Sequence, residues 1–492
     1  MRHFTHYAVL TLAGALIAAC AHESPTTTRS PGAPSFSGTS NSASINVVNV
    51  SRDTTAQNET PLAVNPANPA NMITGNNDWN YNDGCGVNAT FDGGRTWTPT
   101  LPDGFIPGIT AFTNDPAVPG TGTYDFGGDP AVTFSPDGNT AYFTCFGYRG
   151  KAVALWLSRS SDGGRSWTAG GAAHPLTLVS AFTGNGKARG SNGQFPDHES
   201  IHVALDGTIY VPWAHFDGFS SHSPIFIGVS HDGGASFVTP VKVTSGSVHS
   251  DQDARVVTDP ATGYAYLTFD NSIQGGKGTA MFVSVSKDRG ASWSAPVRLA
   301  TFQNPVCVFP PYCFNISGAP FRGPSSYPVP AFDPTTGRLY VAYTDIVGGL
   351  GQILLTYANV ADITTWSTPA IVAPGSGDRI NVELSVEPSS GRLDMMTNDR
   401  SFTGNTLFDV SYITSSDGGS TWSTTRVTKK SWDPAQYGVP CGSCASGVRP
   451  FIGDYDGIVS LPGSAAMTWT GPGKTYGLYP TNLEVYFASV VP

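Results

Sequence analysis

Ser415-Ser416-Asp417-Gly418-Gly419-Ser420-Thr421-Trp422 (SSDGGSTW) is one of five spellings of the same eight-residue word. The others are TFDGGRTW (90–97), SSDGGRSW (160–167), SHDGGASF (230–237) and SKDRGASW (286–293). The common form is Ser/Thr-x-Asp-x-Gly-x-Ser/Thr-aromatic. An aspartate can accept backbone N–H groups within its own turn. The glycines supply positive φ, which other residues reach only at a cost. The closing aromatic is large enough to fill space between packed sheets. Strand-like runs flank each word, such as Ala152–Leu157 before one and Val241–Val243 after another. The word therefore joins the third and fourth strands of a four-stranded unit. Five aspartates spread around a ring could not converge on one substrate, so the word is scaffold.

The aromatics that end the words, Trp97, Trp167, Phe237, Trp293 and Trp422, leave one gap about twice the usual length. Ile363-Thr364-Thr365-Trp366 falls near its middle and reads as a decayed sixth copy. Strand pairs ahead of each word, with turn signals such as Asp206-Gly207, complete six units at 60–103, 129–175, 198–245, 252–300, 327–373 and 380–428. Residues 452–490 hold three further strand-like runs, and Ser44–Ser51 holds one more. An N-terminal strand that completes the last unit would close the ring and remove its open edges. The expectation is an all-β propeller of four-stranded blades, seven in number, with six as the alternative.

The repeated word resembles the Asp-box, or bacterial neuraminidase repeat, of sialidase-like propellers. A closer resemblance is to exported Asp-box lipoproteins of the sialidase superfamily. It rests on DHESIHVALDGTIYVPW (197–213), Asp399-Arg400 and Gly453-Asp454-Tyr455, and it covers about 60–490. The family combines an arginine triad, an aspartate acid/base and a tyrosine nucleophile helped by a glutamate. By residue type at strand starts, the resemblance implies catalytic candidates Asp197, Asp253, Glu383, Asp454 and Tyr455. It implies substrate-binding candidates Asp129, Arg255, Arg322, Arg379, Arg400, Arg449 and Trp213. His198 and Glu199 stand beside Asp197 in the same strand start. Guanidinium groups grip carboxylates bidentately, and a carboxylic acid can protonate a leaving glycosidic oxygen. The implied function is a glycan-active protein, an exo-acting glycoside hydrolase of sialidase-like type. A non-catalytic propeller that binds glycan or protein is the alternative.

Composition sets bounds on this reading. Only 13% of the 492 residues are charged, while Gly (57) and Pro (38) abound, as in turn-rich β proteins. A net charge of −10 with no Lys/Arg run excludes nucleic acid as the expected partner. The apolar run Ala8–Ala19 after Arg2 is too short to span a bilayer and has the length of a secretory signal core. Ile17-Ala18-Ala19-Cys20 resembles a bacterial lipobox. This implies a signal peptide at 1–19, lipidation of Cys20, a flexible Ser/Thr/Pro/Gly-rich tether at 20–43 and a propeller at 44–492. Ala21 after the cysteine resembles outer-membrane sorting, so the expected location is the cell envelope, as a lipid-anchored monomer.

Six further cysteines in an exported chain favour disulfides. Cys307 with Cys313 and Cys441 with Cys444 are close in sequence, which leaves Cys85 with Cys145; a redox or metal CxxC at 441–444 is the alternative. All six are expected in loops of the face opposite the words. That face also receives the long insertions 104–128, 176–197, 301–326 and 429–450. Histidines at 198, 202, 215, 222, 231 and 249 read as scattered loop residues, with a metal site as the alternative. No cofactor is expected. Asp78–Gly84 resembles a calcium loop with its glycine one place late, so calcium is the alternative there.

Overall fold

The structure is a computed structural model. It describes residues 45–52, 55–79, 84–101, 126–167, 176–184, 193–217, 222–246, 248, 250–271, 280–303, 314–316, 319–321, 327–440, 448–473 and 482–492. Almost every described element is a strand; seven antiparallel sheets are arranged as the blades of a propeller, and two further strand pairs, Phe314–Ile316 with Ala319–Phe321 and Val439–Pro440 with Val448–Arg449, lie outside them.

Blade 1 uses Gln57–Asn58 with Leu62–Val64, then Met72–Asp78, Gly84–Thr90 and Thr98–Leu101. Blade 2 uses Phe126–Phe134, Ala141–Arg149, Ala152–Ser160 and Thr177–Thr183. In blade 3, Gln194–Asp197 and His202–Val203 precede Ile209–Asp217, Ile225–Ser230 and Val241–Lys242. Blade 4 runs Gln252–Thr258, Ala265–Asp270, Ala280–Ser286 and Val297–Thr301. Blade 5 runs Val329–Asp333, Arg338–Val347, Leu350–Asn359 and Ala370–Ile371. Blade 6 runs Arg379–Val386, Leu393–Asp399, Asp409–Ser415 and Ser423–Arg426. Blade 7 takes Gly457–Leu461, Ser464–Pro472 and Leu483–Val490, and its outermost strand is Val47–Asn49, paired Val47 to Ala488 and Asn49 to Tyr486. The chain's two ends thus share one sheet, and the seven-bladed expectation holds.

Each blade-to-blade interface has its own apolar cluster. Ile73 and Val87 meet Val132 and Phe143 between blades 1 and 2. Tyr210 and Val229 meet Val256 and Leu267 between blades 3 and 4. Val485 and Phe487 meet Met72 and Trp97 where blade 7 returns to blade 1. Each such side chain contributes about 1.5–3 kcal/mol when fully buried, so the ring is held by many interfaces of similar kind.

The repeated word explains itself in this setting. Asp92 Oδ1 accepts from Thr90 Oγ1 (2.8 Å) and Thr96 N (2.9 Å), and Oδ2 accepts from Thr96 Oγ1 (2.6 Å). The same three bonds recur at Asp162, Asp232, Asp288 and Asp417. In the last glycine of each word φ is positive: +84° at Gly94, +90° at Gly164, +81° at Gly234, +86° at Gly290 and +90° at Gly419. A side chain there would strike the preceding blade: Phe487 from Gly94 (2.0 Å), Ile73 from Gly164 (2.6 Å) and Leu157 from Gly234 (2.5 Å). That glycine is required twice, by its dihedral and by the contact. In the fourth copy Arg289 takes the other left-handed position at φ 60° and bonds Asp206 (2.7 Å). The decayed copy keeps an aspartate: Asp362 accepts from Thr364 and Thr365, and Trp366 packs into the interface with blade 4.

Two expectations are corrected. Residues 176–197 are no insertion: they contain the outer strand of blade 2 and the first inner segment of blade 3. Cys85 and Cys145 do form a disulfide, yet both lie within strands, fully buried, and staple blade 1 to blade 2. Their burial follows from sitting on inward-facing strand positions among Val87, Ala89 and Phe143. Cys20, Cys307, Cys313, Cys441 and Cys444 lie outside the described residues.

Candidate functional site

The innermost strand of nearly every blade is broken by an irregularity near its start. Pairing slips between Gly128 and Ala131, between Gln252 and Arg255, and between Ile380 and Glu383. In blades 1 and 3 the inner strand is split in two at the same level. At these breaks five non-glycine residues adopt left-handed backbone: Glu59 (φ 59°), Asp129 (56°), His198 (55°), Asp253 (58°) and Asn381 (56°). Gly453 takes the corresponding place in blade 7 at φ 95°, pressed against Glu59. Each left-handed non-glycine residue costs about 1–2 kcal/mol. Such strain persists where the surroundings over-determine it, and bulges re-aim side chains. Because neighbouring strands are antiparallel, these breaks lie at the end of the ring opposite the aspartate turns.

The re-aimed groups form a circuit of hydrogen bonds, ion pairs and ring contacts around the axis. Asn77 donates to Glu59 and accepts from Asp129 N (2.8 Å). Asp129 Oδ2 accepts from His198 N (2.9 Å). His198 Nδ1 meets Asp253 Oδ1 at 2.8 Å. Arg255 reaches across to Glu383 of blade 6 with a bidentate pair at 2.6 and 2.8 Å. Asp456 of blade 7 accepts from Asn381 (2.8 Å) and from Thr60 of blade 1 (3.0 Å). Blade 5 joins through Tyr327, whose ring lies 4.9 Å from the His198 ring. Tyr455 packs on the other side of His198, also at 4.9 Å, and its hydroxyl donates to Pro130 O (2.9 Å). A small recess lined by Arg255, Tyr327, Thr344, Asn381, Glu383 and Asp454 opens within this circuit.

Crowding and burial set the protonation states. Burial, then the nearby Asp129 carboxylate, pushes Asp197 up to about 8, although His198 opposes the shift. Burial likewise lifts Glu199 well above the usual carboxyl range, with Asp129 adding to it. Burial lowers the His198 imidazole, which is therefore neutral at pH 7. Burial, Glu59 and Asp129 raise the Tyr455 phenol well above its ordinary value. Burial also takes Asp456 up to about 8.

Of the sequence candidates, Asp129, Asp197, Asp253, Arg255, Glu383, Asp454 and Tyr455 come together here. Others do not. Trp213 is fully buried, with its ring packed on Phe182 and Phe226, so it is core. Arg379 is buried and held by Asp399 (2.9 Å) and the Ala373 carbonyl. Arg400 is buried and held by Asp378 (2.9 Å). These two arginines tie segments of blade 6, because a buried guanidinium needs a carboxylate partner. Arg449 sits in the short strand Val448–Arg449, paired with Val439–Pro440. Arg322 lies outside the described residues. Glu59, Asn77, His198, Glu199, Tyr327, Asn381 and Asp456 are the site members to which the sequence assigned no role. The signal for most of them was a polar residue once per unit just ahead of the inner strand, as in DPAV, HESI, DARV and NVEL.

No group of three or more His, Cys, Asp or Glu side chains among the described residues is arranged to hold a metal ion. His202 is bonded to Thr258 (2.9 Å) and held near pKa 4 by burial. Asp78 belongs to a strand and accepts from Thr55 (3.0 Å), and residues 80–83 of the expected calcium loop are outside the described set. No described helix is long and apolar enough to cross a membrane.

No protein-family model matches the chain, and no curated protein matches it in sequence. Among solved structures it is similar to a protein of unknown function from Dyadobacter fermentans, at 14% identity and a TM-score of 0.46, over 90% of this chain and 97% of that one. It is also similar to an ulvan lyase, a polysaccharide lyase solved with a bound GlcA–Rha3S unit, at 13% identity and a TM-score of 0.48, over 89% and 95% of the two chains. An alpha-L-arabinanase from Penicillium chrysogenum, complexed with arabinobiose, matches at 13% identity and a TM-score of 0.40, over 74% and 92%.

Proposed function

We propose that this propeller is a glycan-active enzyme that cleaves glycosidic bonds at the acidic end of its axis. The observation that carries the reading is Asp197, a partly exposed carboxyl that keeps its proton up to about pH 8 beside the recess-lining Asp454. A carboxylic acid that is protonated at neutral pH can donate to a leaving glycosidic oxygen, and a second carboxylate can serve water or the anomeric carbon. Asp197 is the proposed acid and Asp454 the proposed partner. Tyr327 lines the recess beside them. Tyr455, with a raised phenol already donating to Pro130 O, supports the wall of the site rather than acting as a nucleophile. The finer sialidase-like assignment would need free guanidinium groups. Arg255, Arg379 and Arg400 are each already paired with a carboxylate.

The test is incubation of protein beginning at Ser44 with neutral, amino and acidic glycans, with released sugars followed by mass spectrometry. Release of sugar that is lost in Asp197→Asn and Asp454→Asn supports the reading. Binding without release from a broad panel would make the protein a binding propeller instead. We also propose that the propeller is tethered to the cell envelope through Cys20. Incorporation of labelled fatty acid that disappears in Cys20→Ala would support this, and unchanged incorporation would refute it.

A further inference from the structure

We propose that the acidic end of the axis selects sugars bearing a protonated amine, the class of 2-amino-2-deoxy glycosides; this rests on the glycosidase reading above. The geometry supplies acceptors in excess of donors. Glu59, Asp129, Asp197, Glu199, Asp253 and Asp454 come from blades 1, 2, 3, 4 and 7 and converge around His198 and Tyr455. Among the described residues the cation facing them is Arg255, and Glu383 already engages it through both guanidinium nitrogens. A substrate carboxylate would therefore meet repulsion with no free guanidinium among the described residues to receive it.

The second observation is independent of the charge count. Glu199 is 2% exposed, and neither carboxyl oxygen is hydrogen-bonded to another described residue. The His198 Nε2 atom is equally buried and equally without a partner, while Nδ1 faces Asp253. With the imidazole neutral and its proton on Nδ1, Nε2 is an acceptor. Unsatisfied buried acceptors are uncommon and call for a ligand group that fits them. The ammonium of an amino sugar carries three donors and one positive charge. Its charge would draw Glu199 and Asp197 into the ionised form, displacing to solvent the protons that burial otherwise holds on them, and its N–H groups would satisfy the acceptors so exposed. A hydroxyl in the same place would supply one donor and no charge.

The test uses the full chain and four disaccharide probes in calorimetric titrations at pH 6.5: the glucosamine dimer, its N-acetylated form, the neutral glucose dimer and a glucuronate-containing dimer. The glucosamine dimer is expected to bind at least tenfold more tightly than the N-acetylated and neutral forms, with added salt narrowing the gap, and the glucuronate dimer to bind most weakly. Glu199→Gln should erase most of the amine preference, read as the ratio of the amine and neutral affinities. Asp129→Asn keeps the shape and tolerates left-handed backbone, so it should act in the same direction if Glu199→Gln fails to fold. Equal affinity for amine and neutral forms, or preference for glucuronate, overturns the inference. Cleavage of neutral glycans without amine preference would sink this inference and spare the glycosidase reading. Amine-selective binding without any turnover would do the reverse.

Discussion

The carboxyl groups at the two ends of the ring have opposite fates. In the turns, hydrogen bonds from Thr96 hold Asp92 at about 2, and those from Thr421 hold Asp417 at about 2. At the axis, burial and neighbouring carboxylates hold Asp197 at about 8. The side chains are chemically identical. A turn aspartate faces water and receives backbone and hydroxyl donors, which favour the charged form; an axial one loses water and meets other acids, which disfavours it. The turns consume their aspartates in holding backbone, whereas the axis keeps an acid in reserve with a proton to give.

The largest expected effect tests the axial half of this contrast. On the glycan that the protein turns over, Asp197→Asn should lower kcat/KM by about 10²–10⁴-fold, and the wild type should lose activity as pH rises through about 8. An alkaline limb that persists unchanged in a partly active Asp197→Asn variant would assign that proton to another group.

Next come the two routes by which blades are joined. Removing the Cys85–Cys145 bridge, with its sequence separation of 60, should cost about 4 kcal/mol. Urea unfolding of the Cys85→Ala/Cys145→Ala double variant measures it, and a loss near zero would show that apolar packing alone holds blades 1 and 2. The two adjacent glycines of the first turn separate contact from dihedral. Gly94→Ala drives a methyl group into Phe487 and should cost about 3 kcal/mol. Gly93→Ala, also at positive φ but with open space around it, should cost about 1 kcal/mol. Equal losses would mean that the inter-blade contact contributes nothing beyond the backbone conformation.

The pH dependence of stability separates the two ends by sign. Despite some burial, hydrogen bonds from Ser236 lower Asp232 from 3.8 to about 2, so its stabilisation is present above pH 3.8 and fades as pH falls towards 2. Asp197 is raised, so the folded state holds a proton that the unfolded chain releases above pH 3.8. Stability is then lost as pH climbs from about 4 to about 8 and is flat beyond. Denaturant titrations across pH 2–9 should show a shallower acid limb in Asp232→Asn and a shallower neutral limb in Asp197→Asn. Matching slopes in the two variants would erase the distinction drawn between the ends.

How much of this was legible follows the same division. The turn word recurs, and recurrence made its role readable: one aspartate in five similar settings has one local job. The repeat and the closing N-terminal strand followed from strand spacing and from the need to cover an open sheet edge, although the second unit runs on to Thr183. At the axis each blade contributes a different residue, such as Glu59, Asp129, His198, Asp253 and Asn381. The sequence marked most of these as polar strand starts but could not say which would meet. Arg379 and Arg400 looked equivalent to Arg255 on residue type. They differ because the Asp399 and Asp378 carboxylates happen to lie beside them. Trp213 was a substrate-binding candidate by its place in DHESIHVALDGTIYVPW, yet pairing places its ring between Phe182 and Phe226.

The sequence by itself determined the four-stranded repeat, the turn that ends each third strand and the need to close a seventh blade. These depend on contacts within a few residues or between successive units, and local spacing encodes them. Only the tertiary structure decided that Cys85 would meet Cys145 inside an interface, that Arg255 would be clamped by Glu383 from across the axis, and that Glu199 and His198 would be buried with unsatisfied acceptors. Those outcomes depend on which side chains from distant blades arrive at one point after the ring closes. Desolvation and charge crowding at that point are properties of the assembled site, carried by no single segment of the chain.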